Sequence, residues 1–342
     1  MVSNFFLVIF FIFFLYLINF FLKKFNISLD RVLESENHKL LLRSDNSIPL
    51  SGTYYFLPII FFLFYKLDFF AVIFSLFFFI LGLMADLKLV NSPKLRLIIQ
   101  FLLLTFLFQI NKDLVINTRI DFLDNLMNYN FVRIIICSFF FMVLINGFNL
   151  IDGTNCLSTL NFSIILFFIY LLSHNTNLNL FNHELILMIF ATLIFVIFNF
   201  FGKNFLGDGG AYGLGFLLGF ILVKISLSNH SISPYFVANL LWYPAFENLF
   251  SIMRRRFHKK NNYLPDNNHL HQLIFKYLRK KNFIKKNFLL SSIVGIIINM
   301  YLFIVYLIGY FFYSETNVQV ALILTSIALY LLFYYRLTKT SR

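Results

Sequence analysis

Asp86, Asp152 and Asp208 each stand at the mouth of a long apolar stretch. Each sits in a short Gly- or Asn-containing run: Gly82-Leu-Met-Ala-Asp86, Asn149-Leu-Ile-Asp152-Gly153 and Gly207-Asp208-Gly209-Gly210. Acidic residues number only 15 in 342, so their placement carries information. A carboxylate beside hydrocarbon is expensive to desolvate and marks a functional position. Three of them on one side of a membrane can converge on a metal ion or a phosphate.

The residues around each aspartate refine that chemistry. Asp208 opens a helix whose glycines let backbone approach closely, and a helix start offers free N–H groups and the positive end of the dipole. That is a phosphate site with a carboxylate ready for a bridging divalent cation; a plain N-capping aspartate is the simpler alternative. Gly215 and Gly219, four apart, have the spacing for close helix packing in lipid. Asp152 follows Asn149 and Asn146 on one helical face, a set suited to sugar hydroxyls, a nucleotide or hydrated Mg²⁺, or to an interfacial turn. Asp86 precedes Lys94 and Arg96, which could hold phosphates or form an ordinary ion pair. His269 and His271, near Asp266, lack HExxH spacing. They suit anion contacts to a diphosphate better than zinc, or else form a solvated loop pair.

These residues need elements to position them. The chain is 60% hydrophobic, 13% charged and contains 51 Phe, a composition of membrane-spanning helices rather than of a water-soluble domain. The apolar runs are continuous, which excludes a β-barrel. Eleven spans are expected, near 4–22, 53–65, 69–85, 95–110, 131–147, 158–173, 184–200, 209–225, 232–250, 288–312 and 318–335. The first reads as an uncleaved helix, without the flanks of a signal peptide. The fold class is all-α: a polytopic membrane protein forming one catalytic domain over 1–342, with cytoplasmic loops about 23–52, 86–94, 148–157, 201–208 and 251–287. Basic residues concentrate in those loops, including Arg254-Arg255-Arg256. The opposite loops hold only Lys66, Lys112, Arg119, Arg133 and Lys224. The asymmetry puts the N-terminus outside, the C-terminus inside and all three aspartates on the cytoplasmic face. It also accounts for the net charge of +13 without nucleic acid. Cys137 and Cys156 show no metal-binding spacing and indicate no disulfide.

Six segments in order carry a family resemblance: Ile48-Pro-Leu-Ser-Gly52, Gly82-Leu-Met-Ala-Asp86, Ser92-Pro-Lys-Leu-Arg-Leu-Ile-Ile-Gln100, Asn149-Leu-Ile-Asp-Gly153, Leu206-Gly-Asp-Gly-Gly210 and Asp266-Asn-Asn-His-Leu-His271. Together they resemble the polyprenyl-phosphate N-acetylhexosamine-1-phosphate transferases, which include the translocase that makes lipid I. Departures from the family pattern are Ala85 where a second Asp is common, Asn155 where the second Asp of Asp-Gly-x-Asp-Gly stands, Ala211 in place of Ser, and Gln272 in a shortened histidine motif. The resemblance implies transfer of a sugar-1-phosphate from a UDP-N-acetylhexosamine to undecaprenyl phosphate at the cytoplasmic membrane of a bacterium, releasing UMP, as the first step of envelope polysaccharide synthesis. Mg²⁺ or Mn²⁺ is the implied cofactor and a homodimer a possible assembly. The implied roles are Asp208 and Asp86 for the metal and Asp86 and Asp152 for catalysis. Asn149, His269, His271, Lys94, Arg96 and Asp266 are the implied substrate contacts. Two other classes stay open: an inactive relative acting as a scaffold, and a transporter of lipid-linked saccharides, although a transporter would place its polar residues nearer mid-membrane.

Overall fold

The computed structural model describes residues 2–30, 47–64, 68–115, 117–176, 182–257 and 268–341. Thirteen helices lie among them. In chain order they are α1 (Val2–Lys24), α2 (Gly52–Phe64), α3 (Phe69–Asp86), α4 (Pro93–Ile110), α5 (Asp121–Met127), α6 (Asn130–Ile151), α7 (Leu157–Asn175), α8 (Asn182–Phe200), α9 (Gly207–Ser228), α10 (Pro234–Phe257), α11 (Leu270–Lys280), α12 (Asn287–Phe311) and α13 (Thr316–Ser341). Two short strands, β1 (Leu29–Asp30) and β2 (Ile48–Pro49), pair antiparallel.

Each of the eleven expected apolar stretches falls on a helix. Among the described residues, nine of these helices are long and apolar enough to cross a membrane. Two of the expected spans are not in that set. α2 has 13 residues, about 20 Å at 1.5 Å per residue, short of a hydrocarbon core of about 30 Å. α10 is longer, with 24 residues, but Asn239, Glu247 and Asn248 interrupt its apolar run, and Arg254, Arg255 and Arg256 stand in its last turn. The long polar stretch 251–287 is not all loop, because it contains α11. Cys137 and Cys156 are both buried.

α9 is the central helix: 83% of its span is buried inside the protein, against 17% for the peripheral α13. Its glycines make this possible. A Cβ at Gly82 of α3 would lie 2.3 Å from Gly209 Cα, so the two backbones touch where α3 ends and α9 begins. Further along, Gly215 and Gly219 face Phe148, Leu144 and Phe141 of α6, the close packing expected from their spacing. With few polar partners in lipid, such small-residue contacts hold helices together by close packing.

Local signals set the helix ends. Asp68 caps α3 by accepting from Ala71 N–H at 3.1 Å. Ser92 precedes Pro93, which stands in the first turn of α4, where a missing N–H is harmless. The segment Pro49–Ser51 clamps the loop before α9. Phe205 N–H donates to the Pro49 carbonyl at 2.9 Å, and Ser51 N–H donates to the Phe205 carbonyl at 3.0 Å. The starts of α2 and α9 are thereby tied together.

Candidate active site

The C-terminal ends of α3 and α6 and the N-terminal end of α9 meet at one end of the bundle, and they bring the three aspartates together. Gly207 has φ +77°, a conformation that a residue with a side chain resists. It lets the chain turn into α9 directly beneath the Asp86 carboxylate. Asp86 Oδ1 accepts from Asp208 N–H at 2.9 Å and Oδ2 accepts from Gly209 N–H at 3.1 Å. Asp152 accepts from Gly207 N–H and from the Ser158 hydroxyl at 2.5 Å.

This corrects one expectation. The start of α9 is not an open phosphate cradle, because carboxylates from two other helices already occupy its first N–H groups. An unpaired helix start attracts anions through its free N–H groups and dipole, and here the protein supplies those anions itself. Asp208 is thereby turned outward. Its Oδ2 accepts from Arg96 Nη1 at 2.5 Å and its Oδ1 from Asn149 Nδ2 at 2.7 Å. Arg96 also reaches the Tyr212 hydroxyl at 3.4 Å. Arg96, expected as a phosphate contact, is thus an ion-pair partner of Asp208. Lys94 lies exposed in the first turn of α4. Asn146 donates to Gln100 Oε1 at 2.7 Å and to the Met142 carbonyl at 2.8 Å.

Asp152 is pushed well above the ordinary carboxylate range. Burial is the main cause, and the neighbouring charges of Asp208 and Asp86 add to it, while the Ser158 and Gly207 donors oppose it. Three carboxylates this close hold charge at a price in free energy unless cations answer it; Arg96 answers part of it.

The donor chemistry suits Mg²⁺. The candidate ligands are carboxylate oxygens, and the Asp208 side chain keeps 32% of its surface exposed. Two of the roughly four acceptor positions of the Asp86 carboxylate are used by backbone N–H groups. Mg²⁺ characteristically takes one or two protein carboxylates and completes its shell with water and substrate phosphates. No group of three or more His, Cys, Asp or Glu that could hold a metal ion occurs among the described residues.

The histidines lie beside this cluster but are not solvated. His269 Nδ1 is 3.0 Å from Glu247 Oε1 on α10, and the Tyr330 hydroxyl of α13 donates to Glu247 Oε2 at 2.8 Å. His271 stacks on His269 with ring centroids 5.5 Å apart and planes 6° from parallel. It is fully buried, and neither of its ring nitrogens has a hydrogen-bond partner among the described residues. Its Nε2 lies only 2.7 Å from where a Cβ on Gly153 would be, so the ring sits against the turn that carries Asp152. Burial pushes the His271 imidazole down to about 3, with the neighbouring His269 adding to the effect. Gln272, which stands where the family motif has a histidine, accepts from His269 N–H at 3.2 Å and fixes the start of α11. Asp266 lies outside the described residues.

Glu247 was not among the residues singled out from the sequence. The available signal was an acidic residue inside an expected span, the same signal that marked the aspartates. Asn155, at the position of a missing family aspartate, is buried and locked to α12. Its backbone N–H donates to Ser291 Oγ at 3.0 Å, and its side-chain amide donates to Ser292 Oγ at 3.3 Å and to the Phe288 carbonyl at 3.5 Å. The amide matches a carbonyl acceptor that a carboxylate would oppose.

Residues 69–226 match the model of glycosyl transferase family 4. The matched segment is similar to that family over just under half of the chain. It runs from the start of α3 into α9 and contains Asp86, Lys94, Arg96, Asn149, Asp152 and Asp208; Glu247 and the two histidines lie beyond it. The family supports a polyprenyl-phosphate sugar-1-phosphate transferase kind of function, with a polyprenyl phosphate as lipid acceptor and a nucleotide sugar as donor. None of the curated proteins compared with the chain matches it.

Proposed function

We propose that this protein transfers a sugar-1-phosphate from a UDP-N-acetylhexosamine to undecaprenyl phosphate, releasing UMP, as the initiating step of a bacterial envelope polysaccharide. The observation that carries this reading is the meeting of three aspartates at the start of α9, with the outward-facing Asp208 held by Arg96 and Asn149.

An oxygen of the lipid phosphate attacks the sugar-bearing phosphorus, the bond from that phosphorus to the bridging oxygen breaks, and the oxygen leaves on UMP. Charge on the phosphoryl oxygens dominates such transfers, so positioning and neutralisation are what the protein must supply. Mg²⁺, held by Asp208 with Asp86 beside it, would neutralise the donor diphosphate. In this reading Arg96 moves from Asp208 onto a phosphate oxygen when the donor binds. Asp86 fixes the start of α9 and orients the acceptor phosphate. Asn149 and Asp152 flank the nucleotide, and His269 and His271 close the site at the Gly153 turn.

The distribution of basic residues supports a cytoplasmic location for the aspartates and eleven crossings, with α2 and α10 as the two beyond the nine long apolar helices.

The test uses purified protein, undecaprenyl phosphate and a panel of UDP-sugars. UMP release that requires Mg²⁺ or Mn²⁺ is expected for at least one UDP-N-acetylhexosamine. No release from any donor, with lipid and metal present, would sink the assignment. A cysteine introduced at Asn267 should react with an impermeant reagent only after the membrane is opened; labelling of intact cells would reverse the orientation.

A further inference from the structure

Glu247 is a fully buried carboxylate on α10, in the last part of an expected span. A lone buried charge is costly, and it persists where both oxygens are answered by good partners. Here one oxygen meets His269 Nδ1 at 3.0 Å and the other accepts from the Tyr330 hydroxyl at 2.8 Å. Those partners come from separate elements: α13 supplies Tyr330, and His269 is the residue that starts α11. The carboxylate also fixes His269 in one tautomer, because an ionised carboxylate can only accept and Nδ1 must then carry the proton. His269 is in turn stacked on His271, whose Nε2 faces Gly153 in the turn that carries Asp152. A continuous array therefore runs from Tyr330 through Glu247 and His269 to His271 and the Asp152 turn.

We propose that Glu247, held by Tyr330, is a positioning residue: it fixes the tautomer and orientation of His269 and, through the ring stack, seats His271 against the Asp152–Gly153 turn of the transfer site. The proposal rests on the sugar-1-phosphate transferase reading for its kinetic consequence, whereas its structural part stands without it. Fixed geometry matters because small misplacements of contacting groups cost large factors in rate. Glu247 lies outside the segment that matches the family, and no role assigned above uses it.

The test combines kinetics with a spectroscopic signature. The full chain carries seven histidines, so ¹⁵N-histidine labelling with a His269→Gln difference spectrum isolates the His269 ring. In the wild type the proton is expected on Nδ1. In Glu247→Ala it should move to Nε2 or become mixed, while Glu247→Gln, which keeps an acceptor oxygen, should retain Nδ1–H in large part. In UMP release, Glu247→Ala should lose at least tenfold in kcat with KM for the UDP-sugar changed less than threefold, and Glu247→Gln should recover a substantial part of that loss. An unchanged tautomer in Glu247→Ala would overturn the proposal, and so would kcat within threefold of wild type. Equal loss of kcat and of thermal stability in both variants would reduce Glu247 to a purely structural residue. If the wild type releases no UMP from any donor, the transferase reading fails, and the tautomer measurement still decides whether Glu247 holds His269.

Discussion

The two acidic centres of this protein lie at neighbouring places in the bundle and are built in opposite ways. At the start of α9, Asp208 and Arg96 keep 32% and 20% of their side-chain surface exposed. Around α10, Glu247 and His271 are completely enclosed. The first centre gathers more negative charge than its protein partners neutralise and leaves one carboxylate facing outward. The second matches its single carboxylate with two donors and closes it off. The difference separates a place where ligands can bind from a place that holds other groups still. An exposed carboxylate with partial compensation can exchange a protein partner for a cation or a substrate. A sealed one has no room for exchange and contributes rigidity.

The largest expected effect belongs to the open centre. Asp208→Asn should lower UMP release at least about 100-fold, roughly 2.7 kcal/mol of barrier, with a melting temperature within a few degrees of wild type, since Asn still accepts from Arg96. A loss below threefold would remove Asp208 from the metal and place the open centre on the same structural footing as the closed one. Next comes Asp86→Ala, which strips the acceptor from two N–H groups of α9. Unfolding in detergent should show a loss of about 1–2 kcal/mol, the range for a removed helix cap, together with reduced activity. Unchanged stability would mean that the capping at Asp86 contributes nothing to the bundle.

The closed centre should reveal itself through pH. His271 is held near 3, below its ordinary value of 6.5. It is therefore neutral in the folded protein while the unfolded chain takes up a proton below 6.5. The unfolded state then binds more protons, so stability falls as pH drops from 6.5 toward 3, by at most about 1.4 kcal/mol per pH unit from this group. Melting curves at pH 7 and pH 5 should show this loss, and His271→Gln should flatten it. An equal slope in the variant would show that His271 is not the group responsible. The smallest effect is expected for Arg96→Lys. It keeps the charge beside Asp208 but not the planar fork that also reaches Tyr212, and UMP release should fall about threefold, roughly 0.65 kcal/mol. A 100-fold loss would instead give the guanidinium a part equal to that of Asp208.

The sequence carried much of this protein openly. Continuous apolar runs required membrane helices, because buried backbone in lipid must satisfy its own hydrogen bonds. Short Gly- and Asn-flanked aspartates at the mouths of those runs marked the candidate site, because uncompensated charge is not tolerated there without cause. The spacing of Gly215 and Gly219 pointed to a close helix contact, and α6 supplies it. Tertiary structure alone decided which aspartate faces outward. Asp86 and Asp152 cap a helix that begins more than fifty residues beyond either of them, and no local pattern encodes a cap donated from another helix. Tertiary structure alone also joined Glu247 to His269 and Tyr330, 22 and 83 residues away. Hydrophobic periodicity and motif spacing report what each segment needs, whereas the pairing of one segment's charge with another's donor exists only once the helices have packed.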